Sequence, residues 1–354
     1  MFPGSGSAAE WIAREAYSSL SPQMLYPGMQ RWWHAGSLLA GREMGRRRVM
    51  AGPPCGPKSK MREAYESIDA DAREMSRRLL WFGVSREECD LLQTEAFRRI
   101  HLGDQAILPA EDWADRRRLP SGLRSQIRRA ERHRLDCLEI SLTPESWRVA
   151  CDRHPWLLSS LLDCREPWLR RQGRIALGFM TTCLDPRHPS WWSYALRHLV
   201  VACRGRQVVG YVIASATPKG ERFLVENFVR HPLAPNGLME FLLHRASVWG
   251  ISLHCGEMNL GLAPLHQASL WKSIQERSEG SAGAMAEWKT QPRWYRALTH
   301  GLRRYGEPLY RFRGLARFKD RLHPSAWEPL YLIAPSDGFL LWDALALAGA
   351  FLSK

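Results

Sequence analysis

Lysine is nearly missing from this basic chain: seven of its 50 basic residues are lysine and the rest are arginine. Acids number 36, so the formal net charge is +14. A coding bias toward arginine explains part of that composition but not the excess over acids. Cations in this excess suit a polyanion, either nucleic acid or an anionic membrane surface, and the flat guanidinium fork suits phosphate. Long apolar runs are also absent. No stretch approaches the roughly 20 residues a spanning helix needs. The run from Gly338 to Leu352 is short, interrupted by Asp343, and reads as a docked helix. The first residues lack the basic and apolar segments of a secretory signal. No Cys-x-x-Cys pair occurs among Cys55, Cys89, Cys137, Cys151, Cys164, Cys183, Cys203 and Cys255. Cys151 and His154 have metal-like spacing without a second half. This pattern argues against a metal centre or a disulfide scaffold and for free thiols in a reducing cytosol.

At 354 residues the chain is long for one core, which predicts two domains. Hydrophobic content of 45% and charged content of 24% are those of a globular protein. The sixteen tryptophans suit cores and domain interfaces. Residues 1–28 read as a tail with one short helix over 11–20. Arg48–Ala51 and Leu79–Val84 read as strands and Ser59–Arg78 as a helix. Ser85–Arg99 reads as a helix opened by a serine cap with Glu88 three residues on. Ala106–Leu108 reads as another strand. Ser121–Leu135 is a basic amphipathic helix, with Leu123, Ile127, Ala130 and Arg134 on one face. Arg124, Arg128, Arg129 and Arg132 crowd the others, where phosphate would relieve their repulsion. Helices follow over 143–169. Strands over 198–204, 207–215 and 222–229, a helix over 237–249 and a strand over 253–260 complete the pattern. Meander, helix, strand is the order of a GNAT-type acyltransferase, and the first half repeats it loosely. The expected fold is therefore α/β (α+β): two tandem GNAT-like domains, mixed sheets flanked by helices. Their expected limits are 29–140 for a degenerate first domain, 141–335 for a catalytic second, and 336–354 for a C-terminal helix.

The segment Tyr310-Arg311-Phe312-Arg313-Gly314-Leu315-Ala316-Arg317-Phe318-Lys319-Asp320-Arg321-Leu322-His323-Pro324 reads as a strand that breaks at Gly314 into a short helix, which Pro324 ends. Lys319 borders the apolar stripe of Leu315, Phe318 and Leu322, where an ammonium is costly unless it reaches a cleft or an anion. Trp327-Glu328-Pro329-Leu330-Tyr331-Leu332 follows. These words resemble the signature of the catalytic domain of bacterial lysyl- and alanyl-phosphatidylglycerol synthases. Asn227-Phe228-Val229-Arg230, Ala234–Leu242 and Asn259–Leu265 resemble a second block of that family, and Gly103-Asp104-Gln105-Ala106 with Leu123-Arg124 a weaker third. The resemblance spans roughly residues 30–350. It implies an aminoacyltransferase, with lysine or alanine carried by aminoacyl-tRNA as donor substrate and phosphatidylglycerol as acceptor. No cofactor is implied. The membrane region that usually precedes this domain in the family is not seen, so a free-standing catalytic part is expected, cytoplasmic or peripheral at the inner face of the membrane.

The chemistry expected of the residues fits that implication. A coenzyme A cradle needs backbone N–H groups at a helix N-terminus. The loop Arg230-His231-Pro232-Leu233-Ala234-Pro235-Asn236-Gly237 has two prolines and one glycine, which disfavours it. The helix dipole there remains available to another anion. A bulge in the preceding strand would bring Asn227 and Arg230 to one cleft. The family usually has aspartate at Asn227, a loss Glu226 can offset. Glu240, His244 and Ser247 form a polar stripe, and Glu257 with Asn259 can complete a pocket. Arg230 or Lys319 would stabilise a tetrahedral oxyanion, Glu240 would relay the proton, and no covalent intermediate is required. Asn236, Arg317 and Arg321 join the substrate-binding candidates by resemblance. Arg303 and Arg304, in a basic stretch over 294–304, join Arg124, Arg128, Arg129 and Arg132 as candidate contacts for tRNA phosphate or the anionic bilayer. Alternatives are a soluble acceptor, an acyl-CoA N-acyltransferase, or a non-catalytic binder of tRNA or membrane.

Overall fold

Runs of β-branched and aromatic residues become strands in the computed structural model, which describes residues 7–91, 97–172, 178–219, 221–266, 312–337 and 340–352. The described strands are β1 (Gln30–His34), β2 (Ser37–Met44), β3 (Arg47–Ala51), β4 (Arg78–Ser85), β5 (Phe97–Pro109) and β6 (Asp136–Ser141). They continue with β7 (Arg197–Arg204), β8 (Gln207–Ala216), β9 (Arg222–Arg230), β10 (Glu257–Pro264) and β11 (Ala326–Pro335). The chain divides into two compact units. The unit called central, after its long segment in the middle of the sequence, comprises Met1–Pro27, Ile107–Ala176 and Thr181–Gly261; the unit called flanking, after its segments on either side in sequence, comprises Gly28–Ala106, Leu177–Met180 and Leu262–Lys354.

In the central unit β6, β7, β8 and β9 form an antiparallel meander, and β10 returns parallel to β9. A parallel neighbour needs a crossover, which the helix Leu238–Ser252 supplies. That helix is buried nearly all round, through Leu238, Phe241, Leu242, Leu243 and Ala246. This is the strand and helix order of an acyltransferase domain expected from the sequence. In the flanking unit β1, β2 and β3 form an antiparallel meander and β4 joins β3 in parallel after the helix Met61–Glu74. β11 lies antiparallel to β4, with β5 on its other side. The fold is mixed α/β, as expected.

Several expectations need correction. The domain limit at 140/141 falls inside the central unit, and 262–335 belongs with the first half of the chain. The reason is pairing: β4 is completed by β11, more than two hundred residues later, so compact units and sequence halves do not coincide. Residues 7–27 are built into the central unit instead of forming a tail. Helix Ala8–Glu15 carries a full Ser7–Glu10 capping box, and Tyr26 is buried. The helix after Ser85 is described over Arg86–Leu91, and Phe97–Arg99 belong to β5 and not to the helix. The basic helix stops at Glu131, and Arg134 is exposed in a left-handed conformation instead of facing the core. β10 begins at Glu257, not 253. The signature helix Phe312–Asp320 starts before Gly314 instead of at a break there. Arg303, Arg304 and the stretch 294–304 lie outside the described residues.

Candidate active site

In the central unit the expected β9 bulge is present, and it falls on Glu226: Ile213 pairs with Asn227 and Ala214 with Val225, leaving Glu226 unmatched. The extra residue turns the Glu226 carboxylate inward, where its side chain has no exposure. Arg197 meets it through Nε at 2.9 Å and Nη2 at 3.3 Å. The hydroxyl of Tyr26 donates to it at 2.5 Å, and Ser215 donates as well. Burial, and then the adjacent carboxylate, push the Tyr26 hydroxyl pKa well above its usual range, so it stays a neutral donor. Asn227 is equally engaged. Its Oδ1 accepts from the Leu184 N–H at 3.1 Å, and its Nδ2 donates to the carbonyls of Thr182 at 3.2 Å and Glu226 at 2.9 Å. An aspartate could accept the first bond but could not donate the other two. Both residues nominated for substrate serve the scaffold that fixes β9.

Beyond β9, exposed Arg230 donates from Nη2 to the carbonyls of Ala234 at 2.9 Å and Pro235 at 3.4 Å, and to Asn236 Oδ1 at 3.4 Å. The loop thus turns carbonyls toward the cation. Gly237 follows with φ of +85°, and a β-carbon there would collide with the carbonyl oxygen of Gln126. The helix Ser121–Glu131 therefore packs against the N-terminus of Leu238–Ser252. The Gln126 carbonyl lies against Gly237 at this end of the helix. His244 and Ser247 are buried, not a wet stripe, and His244 Nδ1 bonds the Trp113 carbonyl at 2.7 Å. Glu240, half-buried in the first turn, enters no ion pair or side-chain hydrogen bond among the described residues. Glu257 pairs with Arg222. Asn259 is fully buried, donating to Ser19 Oγ at 3.0 Å and accepting from the Gly261 N–H at 2.7 Å.

On the basic helix Leu123, Ile127 and Ala130 are buried as expected. Arg124 donates to the Arg117 carbonyl at 3.2 Å. Arg128, Arg129 and Arg132 are exposed and make no ion pair among the described residues, so their charges face solvent. The thiols are poor nucleophiles: burial pushes Cys164 and Cys203 up to about 12.

The flanking unit holds the signature lysine. Lys319 is 2% exposed, and its Nζ donates to the Leu262 carbonyl at 3.0 Å. Burial alone brings its pKa down to about 7. Arg317 and Arg321, on either side, are exposed. Near Leu262 along the chain, His266 Nδ1 bonds Asp104 Oδ2 at 3.2 Å, and the other oxygen of that carboxylate meets His101 Nε2 at 2.8 Å. Asp104 is fully buried. The His266 ring lies 3.9 Å from the Trp327 ring, and Gln105 donates to Glu328 at 3.2 Å. This cluster draws on the two quoted motifs, Gly103–Ala106 and Trp327–Glu328, yet sequence reasoning nominated none of its residues for the site. A signal was present in Gly103. The strand end at Ala263–Leu265 lies on it so closely that only glycine fits, and the Leu265 N–H donates to the Leu102 carbonyl at 2.9 Å.

The nominated residues are thus divided. Arg230, Glu240, Glu226, Asn227, Asn236, Glu257, Asn259 and the basic-helix arginines lie in the central unit, and Lys319, Arg317 and Arg321 in the flanking unit.

Comparison with known proteins places this geometry in a family context. The family model described as phosphatidylglycerol lysyltransferase, C-terminal, matches residues 11–334. A phosphatidylglycerol lysyltransferase of Bacillus subtilis (strain 168) is 24% identical over 301 residues; the match covers 84% of this chain and 31% of that protein, so the chain spans about a third of its length. The solved structure of L-PGS from Bacillus licheniformis superposes with a TM-score of 0.71 at 17% identity, covering 97% of this chain and 94% of the other. The C-terminal domain of a putative lysylphosphatidylglycerol synthetase from Agrobacterium fabrum gives 0.69 at 17% identity, covering 98% and 96%.

Proposed function

Since the chain belongs to the phosphatidylglycerol lysyltransferase C-terminal family, we propose that it moves an aminoacyl group, lysine or alanine, from a charged tRNA to a hydroxyl of phosphatidylglycerol. The observation that carries this reading is Lys319, a buried ammonium in the family signature with its pKa brought down to about 7. Such a group exchanges a proton near neutrality and, when charged, is a strong partner for an oxyanion in a dry setting.

The donor is an ester, so the acceptor hydroxyl attacks its carbonyl carbon directly. The carbonyl oxygen gains charge in the tetrahedral intermediate, which collapses by breaking the bond to the terminal ribose oxygen. Protonated Lys319 offsets the developing charge. The proton of the attacking hydroxyl passes to the leaving ribose oxygen, so the step balances without a covalent intermediate. Arg317 and Arg321, exposed on either side of Lys319, offer charge to the phosphate of the donor end. Arg128, Arg129 and Arg132 hold the tRNA backbone.

An acyl-CoA donor is the poorer reading. The helix end that would receive its pyrophosphate meets the Gln126 carbonyl, and the preceding loop offers carbonyls to Arg230. The test is a screen of all radiolabelled aminoacyl-tRNAs with phosphatidylglycerol vesicles. Label entering the organic phase with one or two donors is expected. Acetyl-CoA turnover without tRNA, or label appearing only in a water-soluble product, would overturn the reading.

A further inference from the structure

The helix Leu341–Leu352 of the flanking unit turns three leucines and a tryptophan to water. Asp343, Ala346 and Ala350 form its buried face. Leu341, Leu345 and Leu352 run down the opposite side with Trp342 beside them, and Leu341, Trp342 and Leu345 are 64%, 66% and 52% exposed. A helix resting on a core normally presents the reverse pattern. The helix docks, as the sequence reading expects, through Asp343, two alanines and the Phe351 ring, which lies 4.9 Å from Phe82 and 5.3 Å from Phe179, while its leucine ridge stays outside.

That orientation is fixed by charge. The Asp343 carboxylate, with no exposure, accepts from Arg47 at 3.1 Å and Arg78 at 2.9 Å. Arg42 donates to the Ala350 carbonyl at 3.0 Å near the other end. Rolling the helix to bury its leucines would carry the carboxylate away and leave two largely buried guanidinium groups without their countercharge, so the stripe is held outward.

Arg47 and Arg78 also line a hollow of about 580 Å³, together with Arg46, Arg73 and Arg77. Two of the acids paired with these cations are sunk beneath them: Asp343 is fully buried, and Asp69, the partner of Arg73, nearly so. Of the acids lining the hollow only Asp337 is exposed, whereas Arg46 and Arg73 both face water. The helix that carries the outward leucines and tryptophan is pinned through Asp343 to Arg47 and Arg78, two of the arginines that line the hollow. Leucine suits the acyl boundary, tryptophan the headgroup level and guanidinium the lipid phosphate.

We propose that this helix and the arginine-lined hollow together form a docking surface for an anionic lipid bilayer, with the Leu341–Trp342–Leu345 ridge entering the headgroup region and Arg46 and Arg73 meeting lipid phosphates. The proposal builds on the lipid-acceptor reading by naming where the membrane meets the protein, and it is tested apart from that reading.

The experiment is flotation of the full chain with vesicles of phosphatidylcholine alone or mixed with phosphatidylglycerol. The wild type floats with the anionic vesicles at low salt, about tenfold more than with the neutral ones. Trp342→Ser with Leu345→Ser lowers that partitioning about tenfold or more. Arg46→Gln with Arg73→Gln removes the preference for anionic lipid. All four side chains are exposed, so an unchanged circular dichroism melt confirms folding. A wild type that stays in the aqueous phase overturns the proposal, as does a ridge variant that floats undiminished. A ridge variant that turns a dimer into a monomer without altering flotation also overturns it, since a second protein then covers the stripe. A wild type that floats through the ridge but transfers nothing from any charged tRNA overturns the catalytic reading and leaves the docking surface standing. Transfer to detergent-dispersed lipid without any flotation does the reverse.

Discussion

The ammonium of Lys319 donates to the Leu262 carbonyl at 3.0 Å inside the flanking unit, joining the signature helix to the end of β10. Burial brings this lysine from 10.5 to about 7. Unfolded chain binds the proton below 10.5, folded chain only below about 7, so native stability falls as pH drops through that window and levels off beneath it. Lys319→Met removes this pH dependence. The variant should gain about 1–2 kcal/mol over wild type at pH values below 7, with a smaller gap at alkaline pH, while losing transfer by about a hundredfold or more. Melts across the pH range and a transfer assay read both. In the wild type, transfer should decline as pH rises through about 7, because the cation is then lost.

Glu226→Gln should destabilise the protein by about 3–5 kcal/mol, because it leaves the Arg197 guanidinium buried without its countercharge. Urea titration should show a lower midpoint with an unchanged slope. If the carboxylate instead held substrate, stability would hold and only activity would fall.

Gly237→Ala should lower stability by about 2–4 kcal/mol, combining strain at φ of +85° with the collision against Gln126. The melting temperature reads this directly. A variant as stable as wild type would mean that the two helices are free to separate there.

Replacing Arg128 and Arg132 with Gln should weaken tRNA binding and reduce the slope of log affinity against log salt by about one for each arginine that contacts phosphate. Their exposure predicts little change in stability. An unaltered slope would remove this helix from the RNA surface.

Asp104→Asn should cost about 1–3 kcal/mol, since one carboxylate now satisfies both His101 and His266 and a neutral amide cannot accept from both with the same strength. Thermal denaturation measures the loss. A change confined to activity would move the pair from scaffold to site.

The sequence determined the strand and helix order of the central unit, the apolar face of the basic helix and the place of Lys319 against an apolar stripe. These follow from local rules: period, turn chemistry, and the penalty of placing an ammonium beside an apolar stripe. Tertiary structure alone decided the rest. It sent β11 back to β4, splitting the units differently from the sequence halves, because strand pairing is satisfied by proximity in space and not along the chain. It turned Glu226 and Asn227 into scaffold, since whether a polar group is open to a ligand depends on which partners arrive from elsewhere. Arg197, Tyr26 and Leu184 arrive, and nothing in the local spacing announces them. It also set the Leu341–Leu352 helix with its leucines outward, because Asp343 finds two arginines from β3 and β4 and so fixes a rotation that hydrophobic periodicity would have reversed.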